Sequence, residues 1–198
     1  MKIAIVGAGN IGRTLGQKWA QTGHAVCFGV RDPADAKHAE LRPLGSVLSV
    51  EAAVGGAEAV LLSLPGAAVA DFAAQQGAQL GGKIVIDATN NVRSPDMNNL
   101  PVLREKAPGA LLVRAFSTLG WENFAQPEMG GLPIDLFYCG QAAARAAADR
   151  LIADIGLRPV YLGDLDMAGT VDGLTRVWFA LAFGQGRGRR LAFKMMQE

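Results

Sequence analysis

Three glycines near the start of the chain have the spacing of a phosphate-binding turn. The stretch Gly7-Ala8-Gly9-Asn10-Ile11-Gly12 reads G-x-G-x-x-G and follows the short apolar run KIAIV. In such a turn the first glycine permits the tight bend, the second lets the backbone approach a pyrophosphate, and the third lets a helix pack closely on a sheet. The first N–H groups of that helix then face the phosphates. These residues therefore predict the binding of a dinucleotide.

The residues that follow the second apolar run indicate which dinucleotide is bound. An acidic residue at this place would accept hydrogen bonds from the adenosine ribose, but the sequence has Val30 and then Arg31. A guanidinium group can hold a 2′-phosphate through its planar fork, and Lys37 could add charge. The sequence therefore favours NADP(H) over NAD(H). The alternative is that Arg31 is solvated and pairs with Asp32 or Asp35.

No residue set in the sequence predicts a catalytic group or a metal site. Tyr138, Ser117 and Asp87 are the only candidates for a proton donor, and none of them lies in a recognisable motif. No cluster has the spacing of metal ligands. The two cysteines, Cys27 and Cys139, fall in or beside apolar runs and are expected to be reduced, buried thiols.

The composition and charge of the chain limit the classes of partner that we expect it to bind. Half of the 198 residues are hydrophobic, 19% are charged, and the formal net charge is +1. Because the charge is balanced, the protein as a whole has no strong positive field that would attract nucleic acid or an anionic membrane surface. No apolar run approaches the roughly 18 residues of a membrane span, and the start lacks the layout of a signal peptide. We therefore expect a cytoplasmic protein that binds small molecules, with neither nucleic acid nor membrane as partner.

Strand-like and helix-like stretches alternate along the chain. Alternation of this kind predicts a parallel sheet with right-handed crossovers, and hence an α/β, Rossmann-type, doubly wound fold. Residues 10–22 have helical spacing of apolar residues on one face. The predicted strands are residues 2–6, 24–30, 46–50, 58–64, 83–89, 110–116, 134–139 and 158–162.

We expect two regions: a dinucleotide-binding core over residues 1–116, and a small α/β extension over residues 117–198 that completes a cleft for the second substrate. The extension has predicted helices over residues 141–155 and 166–183. Its glycine- and arginine-rich end predicts a mobile segment leading into a short helix. The basic residues of this end could be solvated, or could meet an acidic second cofactor.

Several segments together resemble the F420-dependent NADP reductase family. They are the glycine fingerprint, the turn G-V-R-D, the strand end Ser63-Leu64-Pro65, the stretch D-A-T-N ending at Asn90, R-A-F-S-T-L at 114–119, and the C-terminal pieces C-G, G-L-R-P and G-D-L. The resemblance covers nearly the whole chain. It is also similar to the cytosolic reductase domain of the STEAP metalloreductases, which moves electrons from NADPH to a flavin.

The resemblance implies which residues hold the cofactor. It assigns the fingerprint turn with Asn10 and Ile11, then Arg31, to NADP, and it places the segments after the fourth and fifth strands beside the nicotinamide. The second substrate would be F420 or a flavin, and the protein would be a homodimer. This chain departs from the pattern at three places. Relatives often have serine where this chain has Val30, and some have tryptophan where it has Gly66. Lys37 lies later in the chain than the corresponding lysine of relatives. The nicotinamide-side residues implied are Ser63, Leu64, Pro65, Ala68, Asn90 and Trp121.

The length of the chain favours a flat ring as the acceptor of the hydride. About 80 residues follow the core, which is too few for the large helical domain that covers small hydroxyacid substrates. Hydride transfer to a flavin or deazaflavin requires mainly ring stacking at close distance, because the chemistry belongs to the cofactors. Two other hypotheses stay open: a reductase of a small carbonyl or imine compound, and a non-catalytic NADP(H)-binding sensor.

Overall fold

One eight-stranded sheet forms the centre of the molecule in the computed structural model, which describes residues 1–198. The chain has ten strands, of which eight form this sheet: β1 Lys2–Val6, β2 Ala25–Val30, β3 Ser46–Ser49, β4 Ala59–Leu62, β5 Ile84–Asp87, β6 Leu111–Arg114, β7 Glu128–Met129, β8 Leu132–Pro133, β9 Asp135–Gly140 and β10 Arg158–Tyr161. Their order in the sheet is β10-β9-β6-β5-β4-β1-β2-β3, while β7 and β8 form a separate two-stranded ribbon.

The main sheet is parallel except at one junction. Strands β1, β4 and β5 are buried along nearly their whole lengths, as expected for strands covered on both faces. Strand β9 runs antiparallel to β6, with Val113 opposite Gly140 and Arg114 opposite Cys139. The prediction of a doubly wound, mostly parallel sheet is confirmed.

Seven helices cover the two faces of the sheet. Leu15 and Trp19 of α1 pack into one core cluster together with Phe124 of α5, while Phe72 of α3 and Leu103 of α4 pack into the other. The helices are α1 Asn10–Gln21, α2 Val50–Gly55, α3 Val69–Gln76, α4 Leu100–Lys106, α5 Trp121–Ala125, α6 Arg145–Ala153 and α7 Ala168–Phe179.

The last helix joins the two cores. Ala168 and Val171 at the start of α7 belong to the second cluster, whereas Trp178 near its end belongs to the first. The helix continues as a π-helical turn over Ala180–Gly184. The segments after residue 116 thus add strands to the same sheet and a helix that contacts both cores. The division of the chain at residue 116 stays a prediction.

The prediction of a short helix at the C-terminus is wrong. Residues 185–198, which we call the C-terminal segment, contain no helix or strand. Side-chain hydrogen bonds hold this segment against the body instead. Arg190 donates to the carbonyl oxygens of Gln126 and Glu128 at 2.7 and 2.9 Å, and Lys194 pairs with Asp135 at 3.0 Å. Arg189 pairs with Glu122 at 2.5 Å, so three of the four basic side chains in this segment are engaged within the protein.

Candidate dinucleotide-binding site

The fingerprint glycines have different roles in the turn between β1 and α1. Gly7 has φ +103°, and a Cβ on it would lie 2.6 Å from the carbonyl oxygen of Ser63. A Cβ on Gly12 would overlap the carbonyl oxygen of Gly7. Gly9 has no atom within 4 Å of the place where its Cβ would be. Gly7 and Gly12 are therefore required by the packing of the turn, while Gly9 faces open space that a ligand can enter.

Ser63 fixes the turn from the end of β4. Its hydroxyl donates to the carbonyl oxygen of Gly7 at 2.5 Å, and its backbone N–H donates to Val6 at 2.9 Å. Pro65 follows two residues after Ser63, is exposed, and directly precedes the turn Gly66–Ala68. These contacts place the end of β4 directly beside the fingerprint.

The N-terminus of α1 is open to an anion. Gly9 precedes the helix without a side-chain cap, and the first turn contains no acidic residue. The first N–H groups of a helix lack partners within it, and the helix dipole makes this end positive. Asn10 is exposed here, whereas Ile11 packs partly against the core. A phosphate group near Gly9 would therefore find unpaired backbone donors.

A cavity of about 770 Å³ begins at this turn and extends along the ends of β2 and β4. Ligand sites in parallel sheets lie at the carboxyl ends of the strands where the strand order reverses, and here β1 lies between β2 and β4. The volume is within the usual range for a bound small molecule. Among the predicted residues, the cavity is lined by Gly7, Val30, Arg31, Lys37, Leu64 and Ala68.

Arg31 is exposed at the rim of this cavity and is in no ion pair. Its two possible partners are engaged elsewhere: Asp32 accepts from the N–H of Ala34 at 3.0 Å, and Asp35 pairs with Lys37 at 2.6 Å. The alternative of an Arg31 paired with either carboxylate is therefore wrong. Hydrogen bonds from the side chain and backbone of Lys37 lower the pKa of Asp35. The charge of Lys37 is thus shared with Asp35, while that of Arg31 is free.

Other cavity residues were not predicted from the sequence. His38 and Glu40 come from the turn after β2, and Glu40 is paired with Arg13 at 2.5 Å. Phe72, Asp71 and Gln75 come from α3. The spacing of Asp71 and Gln75, one helical turn apart, places them on one face of α3, but nothing in the sequence says that this face meets the cavity.

Six of the predicted residues that do not line the cavity belong to the fingerprint turn and the end of β4, and the other two are Asn90 and Trp121. Trp121 lines a separate groove of about 450 Å³ between α1 and α5, together with Asn10 and Arg13. Asn90 lines neither space, and its side chain is held within the protein. Its Oδ1 accepts from Arg114 at 2.7 Å, and its Nδ2 donates to the carbonyl oxygen of Ser117 at 3.1 Å. The structure therefore brings Trp121 beside Asn10 in a separate groove and leaves Asn90 outside both spaces.

A buried ion cluster holds Asn90. Arg114 is completely buried, and its guanidinium group donates to Asp172 of α7 at 2.8 and 3.0 Å. It also donates to the carbonyl oxygens of Asp87 and Thr89. A buried charge requires such partners to compensate for lost hydration. The cluster ties the ends of β5 and β6 to the last helix, a connection that spans 58 positions and leaves no sequence signal.

The departure at Gly66 has a local cause. A Cβ on Gly66 would overlap Oδ1 of Asn91. The side chain of Asn91 donates to Oδ1 of Asn99 at 3.1 Å. The backbone N–H of Asn91 donates to the carbonyl oxygen of Met97 at 2.8 Å, which also holds this residue in place. In this chain Asn91 occupies the space that a larger residue at position 66 would need.

The fold and this site define a Rossmann-type dinucleotide-binding protein. Residues 2–91 match the sequence model of the family described as NADP oxidoreductase, coenzyme F420-dependent. The match confirms the resemblance that the sequence motifs indicate.

Two known proteins are similar to most of this chain. Metalloreductase STEAP3 of Rattus norvegicus is 26% identical over 87% of this chain and 36% of its own length. A glycerol-3-phosphate dehydrogenase [NAD(P)+] of Paracoccus denitrificans is 28% identical over 95% of this chain and 62% of its own length. The chain thus spans between a third and two thirds of these curated relatives.

A solved structure is similar over the full length. It is a protein of Arthrobacter sp. FB24 with a provisional assignment as an F420-dependent NADP reductase; it is 27% identical, with a TM-score of 0.86 and complete coverage of both chains. The family and these three proteins are named as oxidoreductases. In this chain, none of the helices has the length and apolar character required to cross a membrane.

Proposed function

We propose that the protein is an NADPH-dependent oxidoreductase that transfers a hydride between NADP(H) and the ring of F420 or a flavin. The observation that carries the proposal is the unpaired guanidinium group of Arg31 at the rim of a cavity that starts at the glycine fingerprint. Bound NADPH would supply the hydride, and the protein would bind and orient the two rings.

The charges around the cavity favour a 2′-phosphate. Val30 offers no carboxylate to a ribose, and Arg31 has no partner within the protein. The carboxylate of Glu40 is paired with Arg13, and that of Asp32 accepts a backbone N–H. The guanidinium group of Arg31 is therefore left to meet a phosphate, with His38 as an additional donor at the same rim.

Two of the three candidate proton donors, Tyr138 and Asp87, are held within the protein, and this favours a ring acceptor over a small carbonyl or imine compound. Tyr138 is completely buried, and its hydroxyl donates to Asp149 at 2.5 Å. Burial and Asp149 both raise the pKa of Tyr138. Asp87 is also completely buried and accepts hydrogen bonds from Thr89 and Asn99. A reduction that needs a proton from the protein requires a donor within reach of the substrate, and these two groups are committed elsewhere.

The test is the oxidation of NADPH, followed at the absorbance of the reduced nicotinamide, with F420, FMN, FAD, ferric chelates and small aldehydes or imines as acceptors. We expect turnover with one of the ring acceptors and a strong preference for NADPH over NADH. The Gly9→Val variant is the control, because it should fold but not bind the cofactor. Turnover with aldehydes or imines alone would replace the proposal by the small-substrate reductase. Tight NADPH binding without turnover on any acceptor would favour the sensor.

The finer expectations of a homodimer and a cytoplasmic location belong to the same proposal. Val177 and Phe183 are about half exposed on the last helix and the turn after it, and they offer apolar surface to a second copy. Both cysteines are free, and burial raises the pKa of Cys139 to about 12, which agrees with an unreactive thiol. Light scattering over a range of concentrations tests the dimer, and a mass of one chain throughout would contradict it.

A further inference from the structure

One ion pair connects the rim of the large cavity to the first helix. Glu40 lines the cavity, and its Oε1 lies 2.5 Å from Nη1 of Arg13 on α1. Arg13 itself does not line the cavity but lies at the separate groove between α1 and α5. The two side chains are 44% and 57% exposed, and exposed ion pairs contribute little to the stability of a fold. What the pair changes is the charge that the cavity presents to a ligand.

The segment between β2 and β3 has no net charge of its own. Residues 31–45 contain three cationic groups and three carboxylates, and Lys37 and Asp35 already pair with each other within the segment. Arg31 and Glu40 both line the cavity, so a free cation and a carboxylate face the same ligand. Arg13 comes from a different element and neutralises Glu40. The positive charge of Arg31 is therefore not cancelled by the carboxylate of Glu40.

An unpaired Glu40 would favour the other dinucleotide. In Rossmann-type sites a carboxylate near the adenosine ribose accepts hydrogen bonds from its hydroxyl groups and selects NAD(H), since it repels a 2′-phosphate. Glu40 comes from the same segment as Arg31, the residue proposed to hold that phosphate. The other carboxylates of the cavity are Asp32, which accepts a backbone N–H, and Asp71, which comes from α3. Pairing with Arg13 therefore removes an NAD-type acceptor from a site that otherwise suits NADP(H).

We infer that Arg13 is a positioning residue for the choice of cofactor: it holds the carboxylate of Glu40 in an ion pair and so prevents that carboxylate from repelling the 2′-phosphate of NADPH. Arg13 acts through Glu40 and does not itself contact the phosphate. The inference rests on the proposed function, because it concerns the preference for NADP(H) at the same site. It extends the selection of the cofactor from the segment after β2 to a side chain of α1, directly after the last fingerprint glycine.

The test is a double-mutant cycle of Arg13→Gln and Glu40→Gln, in which calorimetry measures the Kd of NADPH and the Kd of NADH for each protein. In Arg13→Gln, the freed carboxylate should raise the ratio of the NADPH Kd to the NADH Kd by about two- to fivefold, the factor that corresponds to the free energy of an exposed ion pair. In the Glu40→Gln background the same substitution should leave the ratio unchanged, because no carboxylate is freed. The rise in Arg13→Gln should shrink at high salt, which screens exposed charges.

Lys18→Gln is the matched control. Lys18 is another cation of α1 and lies in the same groove as Arg13, which no carboxylate lines. The substitution removes the same charge from the same helix, but no carboxylate of the cavity depends on it, so the ratio of the two Kd values should stay at the wild-type value. Thermal unfolding of all the variants checks that they fold. Their melting temperatures should lie close to that of the wild type, because the substituted side chains are at the surface.

Two results overturn the role of the pair and leave the proposed function intact. If Arg13→Gln raises the ratio equally in the wild type and in the Glu40→Gln variant, Arg13 contacts the phosphate itself. If Arg13→Gln leaves the ratio unchanged, or Lys18→Gln raises it as much, the pair does not act on the choice of cofactor. A wild-type protein that binds NADPH no more tightly than NADH overturns the proposed preference for NADP(H) and the inference together.

Discussion

Arg31 is the residue on which the choice of cofactor depends. Its guanidinium group is exposed at the cavity rim with no partner. We predict that Arg31→Ala weakens NADPH binding by about 1.5–3 kcal/mol, the range for a hydrogen bond to a charged group, and hardly changes NADH binding. Calorimetric titration with both cofactors measures this. Equal losses for NADPH and NADH would mean that Arg31 does not contact the 2′-phosphate.

Lys37 provides the matched comparison. It lines the same cavity, but its ammonium group already pairs with Asp35 at 2.6 Å. We predict that Lys37→Ala reduces NADPH affinity less than Arg31→Ala does, because part of its charge is neutralised before the ligand binds. The same titrations decide it, and a larger loss for Lys37→Ala would show that the ion pair with Asp35 breaks on binding.

The fingerprint makes separate predictions for two glycines. Gly9→Val should abolish binding of both NADPH and NADH and leave the melting temperature nearly unchanged, because its side chain enters space that no protein atom occupies. Gly12→Val should destabilise the fold itself, since even a Cβ overlaps the carbonyl oxygen of Gly7. Thermal unfolding with and without NADPH separates the two effects. A Gly9→Val protein still stabilised by NADPH would place the pyrophosphate elsewhere.

At the residue scale, the sequence predicts what depends on neighbours in the chain. The turn at Gly7–Gly12 and the pair Val30-Arg31 could be found because local backbone geometry requires glycine and because an expected acid is missing. The side-chain bonds of Asn90 could not be found, because its partner Arg114 is fixed by Asp172 in a distant helix. Whether the predicted residues contact the cofactor stays a prediction.

At the element scale, the C-terminal segment depends on one buried carboxylate. Asp135, at the start of β9, accepts from Arg158 and from the N–H of Met195, at 2.6 and 2.7 Å, and pairs with Lys194. Burial alone would raise the pKa of Asp135, but the hydrogen bonds from Arg158, Met195 and Lys194 outweigh burial and lower it. The segment that looked like a free basic tail is therefore attached at a defined point.

The lowered pKa gives the sign of a pH effect. A carboxyl group with a lower pKa in the folded state stabilises that state above its unfolded pKa, and the stabilisation is lost as the pH falls below about 4 and through the folded pKa. We predict that trypsin cuts after Arg187, Arg189 and Arg190 faster in Asp135→Asn than in the wild type at neutral pH. The unfolding free energy of the variant should also fall less with acid.

Proteolysis followed by mass spectrometry, and denaturant unfolding across acidic pH, make these measurements. Asp166→Asn is the control, because Asp166 is exposed and in no ion pair. Equal cleavage rates in all three proteins would show that Asp135 does not anchor the segment.

At the scale of the whole molecule, alternating apolar runs were enough to predict the doubly wound sheet. Parallel strands that are buried on both faces, such as β4 and β5, read as continuous apolar stretches. The antiparallel placement of β9 against β6 could not be predicted, because only two residue pairs define it. The end of the chain was misjudged for a related reason: its partners, such as Gln126 and Asp135, lie about 60 positions away.

The central claim is that two rings meet and a hydride passes directly between them. Stacking exposes one face of the nicotinamide to the acceptor, with reacting atoms roughly 3–3.5 Å apart, so the transfer should be stereospecific. The most direct measurement uses NADPH deuterated at C4 on either face, with a deazaflavin as acceptor, whose C5 retains the label. We predict that deuterium from one face, and not from the other, reaches C5. Deuterium that stays on the nicotinamide with every ring acceptor, yet leaves with a small aldehyde or imine, would contradict the account.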